Sequence, residues 1–130
     1  MIEHNDIKFE QISTEALAYL GDSVIELCAR DTLVCKGITS SKKLNSEALG
    51  YVKASVQAAA MKSIMDLLTE EELLVFKRGR NHGHTNTPKS ASVSEYRNAT
   101  GMETLFGYLF LKNQAARINE LFKAAYKDII

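Results

Sequence analysis

Pro88 is the chain's single proline, and only seven glycines accompany it among 130 residues. A sheet of short strands needs a turn every few residues, and proline and glycine supply most turns. So little turn-forming material favours long helices. Helix signals do follow one another along the chain. Apolar residues at helical spacing predict a first helix over residues 13–35, stopped by Gly37. A second is expected over about 45–68, with Leu44, Ala48, Val52, Ser55 and Ala59 in register. Thr69 and Glu72 form a capping box that opens a short third helix ending at Gly79. Ser92 and Glu95 form another box, opening a helix to about Lys112, and Asn113 opens a last one. Nothing reads as a strand, so the expected fold class is all-α, with one domain over residues 1–130.

A hydrophobic content of 45% and a charged content of 25% belong to a globular protein with a real core. The longest apolar run, "LFGYLFL" at 105–111, is too short to span a bilayer, and no basic-plus-apolar start suggests a signal peptide. The expected location is the cytoplasm, with no membrane partner. Cys28 and Cys35 are seven residues apart, two helical turns, and form no CxxC. That spacing reads as small core residues in a reducing compartment rather than as a metal site.

One stretch resists a reading as plain core. In "LAYLGDSVIEL" (17–27), Leu17, Leu20, Val24, Leu27 and Cys28 form an apolar stripe. Asp22 falls on the opposite side with Glu15, Ala18 and Glu26. A solvated acidic face would explain a lone carboxylate, with Glu26 pairing to Arg30 one turn on. Yet Ala18 and Gly21 are small, which suits close approach of another helix or a ligand. The combination recurs in "NATGMETLFGYLFL" (98–111), where Glu103 shares a face with Ala99, Thr100 and Gly107. If the two faces meet, the carboxylates meet as well. Two unit charges about 4 Å apart repel by roughly 4 kcal/mol at an effective dielectric near 20. Such a pair persists only when protonated or bridged by a cation. Oxygen-only ligation with room for water suits Mg²⁺.

Net charge is zero, but its distribution is uneven. Residues 1–31 hold seven acids against two bases, whereas residues 77–97 hold Lys77, Arg78, Arg80, Lys89 and Arg97 against Glu95 alone. A basic loop beside an acidic metal site is what a phosphate backbone requires, although charge alone also fits a solvated loop. His82 and His84 in "NHGHT" lack further ligands nearby, which counts against a transition-metal pair. His4 reads as part of a frayed N-terminus. Tyr96 shares the Glu103 face, where it packs or hydrogen-bonds. The "LFGYLFL" helix, apolar nearly all round, belongs at the domain centre or at a dimer contact. No Ser/His or Cys/His nucleophile set is apparent.

These segments carry a resemblance. "YLGDSVIEL" resembles the ribonuclease III signature, and "GMETLFGYLFL" is similar to that family's second acidic motif. Together with "YVKASVQA", "LTEEE", "FKRGRN", "TPK" and "YRNATG", they resemble the compact Mini-ribonuclease III branch, in order, from about Leu17 to Leu111. That branch lacks a double-stranded-RNA-binding domain. The resemblance implies an all-α catalytic domain, a homodimer, and Mg²⁺-dependent cleavage of double-stranded RNA to 5′-phosphate and 3′-hydroxyl ends. It implies precursor large-subunit (23S) ribosomal RNA as substrate, and DNA is not expected. Asp22 and Glu103 carry over as catalytic and metal-binding residues. Lys77, Arg78, Arg80, Asn81, Lys89 and Arg97 are the expected RNA contacts. Full-length members carry two further acids, at the positions of Ala18 and Thr100 here, so the number of bound metals is left open. Two rivals are a non-catalytic ribonuclease III-like module that binds structured RNA or a ribosomal particle, and a plain helical interaction protein. Apposed carboxylates count against the first, and the basic loop against the second.

Overall fold

Helix α5 (Val93–Leu111) runs through the middle of the molecule. Gly101, Met102 and every residue from Thr104 to Leu109 are buried, so this helix has no polar face over its last turns. A helix apolar all round must be surrounded. It is: α1 (Thr14–Cys35), α3 (Ala54–Ile64), α4 (Glu70–Arg80) and α6 (Ala115–Ala125) all pack against it. Helix α2 (Ser41–Val52) packs on α1. Short 3₁₀ turns lie at Phe9–Gln11 and Met65–Leu67. The structure, a computed structural model, describes residues 2–82 and 92–129, and the described residues are all-α with no strand.

Local chemistry accounts for most boundaries. Ser13 caps α1 by accepting from the Ala16 N–H at 3.0 Å, and Gly37, at φ +88°, takes the left-handed turn that ends it. Both expected capping boxes are present, Thr69 with Glu72 and Ser92 with Glu95. Glu72 does more than cap. It is 5% exposed, and its two oxygens accept from Arg117 Nε at 2.8 Å and Nη2 at 2.7 Å, which ties α4 to α6. The Arg117 guanidinium, assisted by the Thr69 backbone, holds the Glu72 carboxyl below its ordinary range against the opposing effect of burial.

Four expectations give way. The long second helix is two helices: at Lys53 the backbone is extended (φ −61°, ψ 142°), ending α2 and starting α3. The break lets α2 lie on α1 while α3 turns to lay Gln57, Ala60, Met61 and Ile64 into the core. The Tyr51 carbonyl, beside the break, accepts the buried Tyr126 hydroxyl at 2.9 Å. The N-terminus is strapped down rather than frayed. His4 N–H donates to Asn113 Oδ1 at 2.8 Å, Asn113 Nδ2 donates to the His4 carbonyl at 2.7 Å, and the His4 ring meets Phe110 edge-on. Asn113, at φ +60°, makes the turn between α5 and α6 instead of opening α6. Cys35 is exposed and therefore no core residue, whereas Cys28 is half-buried.

Candidate active site

The apolar stripe expected on α1 is displaced. Its buried residues are Leu17, Gly21, Val24, Ile25, Ala29 and Leu33, while Leu27 lies 52% exposed. The cause is the manner in which α1 meets α5. A Cβ on Gly21 would sit 1.6 Å from the Glu103 carbonyl oxygen, and a Cβ on Gly107 would sit 2.1 Å from the Leu17 carbonyl oxygen. The two helices thus touch backbone to backbone through two glycines. Seating α1 on Gly21 rotates its leucine side outward.

This crossing puts Asp22 beside Glu103. The Glu103 carboxyl is pushed up to about 8, first by burial and then by the Asp22 carboxylate within hydrogen-bonding reach. Asp22 itself is exposed. So one acid is open to solvent and the other is largely enclosed, and two like charges share a small volume. Oxygen donors alone, with an open side for water, fit a hard divalent cation. Asp22 and Glu103 are the residues that could hold one. Among the described residues no group of three or more His, Cys, Asp or Glu side chains is placed to hold a metal.

The surrounding residues sort clearly. Ala18 and Thr100 are half-buried, and the Thr100 hydroxyl donates to the Tyr96 carbonyl at 3.0 Å. Glu26 pairs with Arg30 at 2.9 Å, as its i+4 spacing suggested. Glu15 lies 3.3 Å from His82 Nε2. One residue that sequence reasoning passed over borders the pair. Gln57 of α3 is 2% exposed, and its side chain lies close enough to favour the ionised form of Glu103. Only the polarity of a glutamine amid alanines in "VQAAA" hinted at it.

The expected RNA contacts fall in different settings. Arg80, Asn81 and Arg97 come together, with Asn98, around a groove of about 420 Å³ between the end of α4 and the start of α5. The Arg80 guanidinium lies 5.7 Å from the Phe76 ring centroid, and its Nε donates to Asn81 Oδ1 at 3.1 Å. Lys77 is exposed on α4. Arg78 is used inside the fold: its Nε donates to Thr14 Oγ1 at 2.7 Å and its Nη2 to the Ile12 carbonyl, pinning α4 to the start of α1. Lys89 and His84 lie outside the described residues. A larger hollow of about 630 Å³ lies between α1 and α6, near Cys28, Cys35 and Lys123, and contains neither carboxylate. Burial, assisted by Asp31, holds the Cys28 thiol up at about 11, so it stays protonated near neutral pH.

Comparison with known proteins agrees with this arrangement. Residues 15–114 match the ribonuclease III domain, a span that contains both carboxylates. A Mini-ribonuclease 3 of Enterococcus faecalis is 42% identical over 123 residues, covering 93% of each chain. One from Symbiobacterium thermophilum is 45% identical over 109 residues, covering 84% of each. A crystal structure of a Fusobacterium nucleatum protein superposes with a TM-score of 0.84 at 29% identity, over 94% of this chain and 98% of that one. The chain belongs to the ribonuclease III family in its compact Mini-ribonuclease III form, and is an endoribonuclease of the kind that acts on double-stranded RNA.

Proposed function

We propose that this endoribonuclease depends on Mg²⁺ held by Asp22 and Glu103, and that it works in the cytoplasm on the paired ends of precursor 23S ribosomal RNA. The observation that carries the metal assignment is the carboxylate pair at the glycine-mediated crossing. Mg²⁺, when bound, polarises a phosphate, lowers the pKa of a water and neutralises the leaving oxygen. The chain's own part is to give up the Glu103 proton, to keep Asp22 open to the RNA, and to hold both on rigid helices. Hydrolysis in this family's manner leaves a 5′-phosphate and a 3′-hydroxyl. The ribosomal substrate rests on the likeness to Mini-ribonuclease III. Purified protein should cut a labelled precursor duplex with Mg²⁺ present and leave it intact in EDTA. Equal cutting in EDTA would sink the metal assignment, and a precursor left whole while other duplexes are cut would sink the ribosomal one.

RNA contact is assigned to Lys77, Arg80, Asn81, Lys89 and Arg97, whereas the Arg78 guanidinium is already engaged by Thr14 and Ile12. Arg80 and Arg97 are the strongest candidates, because they flank one groove. Each phosphate neutralised releases counterions, so Arg80→Ala should flatten log affinity against log salt by about one unit per lost contact. Binding in Ca²⁺ at several salt concentrations reads this directly. An unchanged slope for both Arg80→Ala and Arg97→Ala would move the RNA path elsewhere.

A homodimer completes the proposal. Helix α5 is consumed by the core, so the contact is assigned to the outer face of α1. Tyr19 (83% exposed), Leu27 and Val34 (60%) lie there within about 80° of one another. That face adjoins Asp22, so a two-fold axis through it would set two sites against one duplex. Sedimentation should give twice the 14.5 kDa chain mass, and Tyr19→Glu should halve it. A fully active monomer would contradict the dimer.

A further inference from the structure

Behind the carboxylate pair lies a polar side chain that packing alone does not explain. Gln57 sits on α3, which lies against α5, with Ala58, Ala60 and Met61 buried beside it. Its Nε2 is sealed from water and closes no hydrogen bond of full geometry. A buried amide left in that condition costs about 1–3 kcal/mol, and an apolar side chain of the same size would avoid the cost. The polar group its side chain does face is Glu103, whose carboxyl lies within its reach. The Thr100 hydroxyl, one turn back on α5, is already given to the Tyr96 carbonyl. Of the side chains that reach the Glu103 carboxyl, Asp22 is itself an acid and Gln57 is the amide; the buried Tyr126 hydroxyl is given to the Tyr51 carbonyl.

We propose that Gln57 is a positioning residue for Glu103: its buried amide serves one carboxylate oxygen and thereby fixes the rotamer that presents the other beside Asp22. Glu103 hangs on a flexible side chain, and a carboxylate that must be ordered before it can ligate pays rotamer entropy on binding. A donor fixed in the core removes part of that cost. Partners that orient metal ligands are worth about 10- to 100-fold in metal affinity or activity. The inference rests on the assignment of Glu103 as a metal ligand.

The test is Mn²⁺ binding to the purified protein, followed by electron paramagnetic resonance, for wild type, Gln57→Met, Gln57→Leu and Glu103→Gln. Methionine conserves volume and removes the amide, so Gln57→Met should melt no lower than wild type. Its Mn²⁺ affinity should fall about 10- to 100-fold. Cleavage should return toward the wild-type rate as Mn²⁺ is raised, while RNA affinity in saturating Ca²⁺ stays unchanged. Gln57→Leu removes the donor with a different shape, so a packing fault confined to one variant is recognised by the other. Wild-type Mn²⁺ affinity in both Gln57 variants, with Glu103→Gln no longer binding, would overturn the role of Gln57 alone. Normal Mn²⁺ binding and cleavage in Glu103→Gln would overturn the metal site itself.

Discussion

Replacing Glu103 with glutamine should abolish cleavage and, in the presence of a chelator, make the protein more stable. The first effect should exceed about a hundredfold, the upper end for residues that only orient a metal ligand. The second follows from linkage. The Glu103 carboxyl titrates near 8 in the folded chain, against an ordinary value of 4.5. Folding therefore favours its protonated form. That contribution is complete below about pH 4.5 and is lost progressively as pH rises through 8. Each unit of difference corresponds to about 1.4 kcal/mol, so the enclosed carboxylate costs the chelated wild type a few kcal/mol at alkaline pH. Glutamine cannot ionise and escapes this cost. Thermal melts in EDTA should therefore coincide for wild type and Glu103→Gln near pH 4.5 and separate by pH 8, with the variant higher. Adding Mg²⁺ should raise the wild type alone, since only it gains a ligand. Coincident melts at both pH values would show that Asp22 and burial impose no penalty on Glu103.

Among the described glycines, Gly21→Ala should be the most damaging substitution. Its Cβ would lie 1.6 Å from a backbone oxygen of Glu103 and 2.9 Å from the Gly107 nitrogen. Both are main-chain atoms of the central helix, so no rotamer change relieves the clash. The helices must part. Overpacking of this kind costs about 1–3 kcal/mol or more, out of the roughly 5–15 kcal/mol that stabilises an ordinary domain. Molecules that remain folded would hold Asp22 away from Glu103, so cleavage should fall with stability. Gly50→Ala supplies the contrast. Nothing lies within 4 Å of its Cβ, and α2 gains up to about 1 kcal/mol of helix propensity. Circular dichroism melts should therefore move in opposite directions for the two alanines. A Gly21→Ala variant that melts with the wild type and cuts RNA would refute the backbone contact between α1 and α5.

Much of this protein is local, and local features are legible in a sequence. Ser13, Thr69 and Ser92 each cap a helix with atoms three residues away, so those starts can be read without knowing the fold. Helix α5 announces its place because "LFGYLFL" leaves it no face for water. Asp22 and Glu103 stood out because each is framed by small residues. Sequence alone could make their meeting conditional and no more, since nothing in either helix says which neighbour it will touch. The helix break at Lys53 was hidden for a related reason. Its extended backbone follows from α2 and α3 packing on different partners, not from a breaker residue. The same holds for Arg78, whose guanidinium serves Thr14 and Ile12 across 64 and 66 residues of chain, and for Gln57, whose neighbour Glu103 lies on another helix. By itself the sequence determined which segments coil and which carboxylates sit among small side chains, because hydrogen bonds within a turn and the 3.6-residue period decide both. Only the tertiary structure decided that Gly21 and Gly107 bring two backbones into contact, that Glu103 is thereby enclosed beside Asp22, and that Gln57 stands behind it. Those outcomes depend on steric fit between segments distant in sequence.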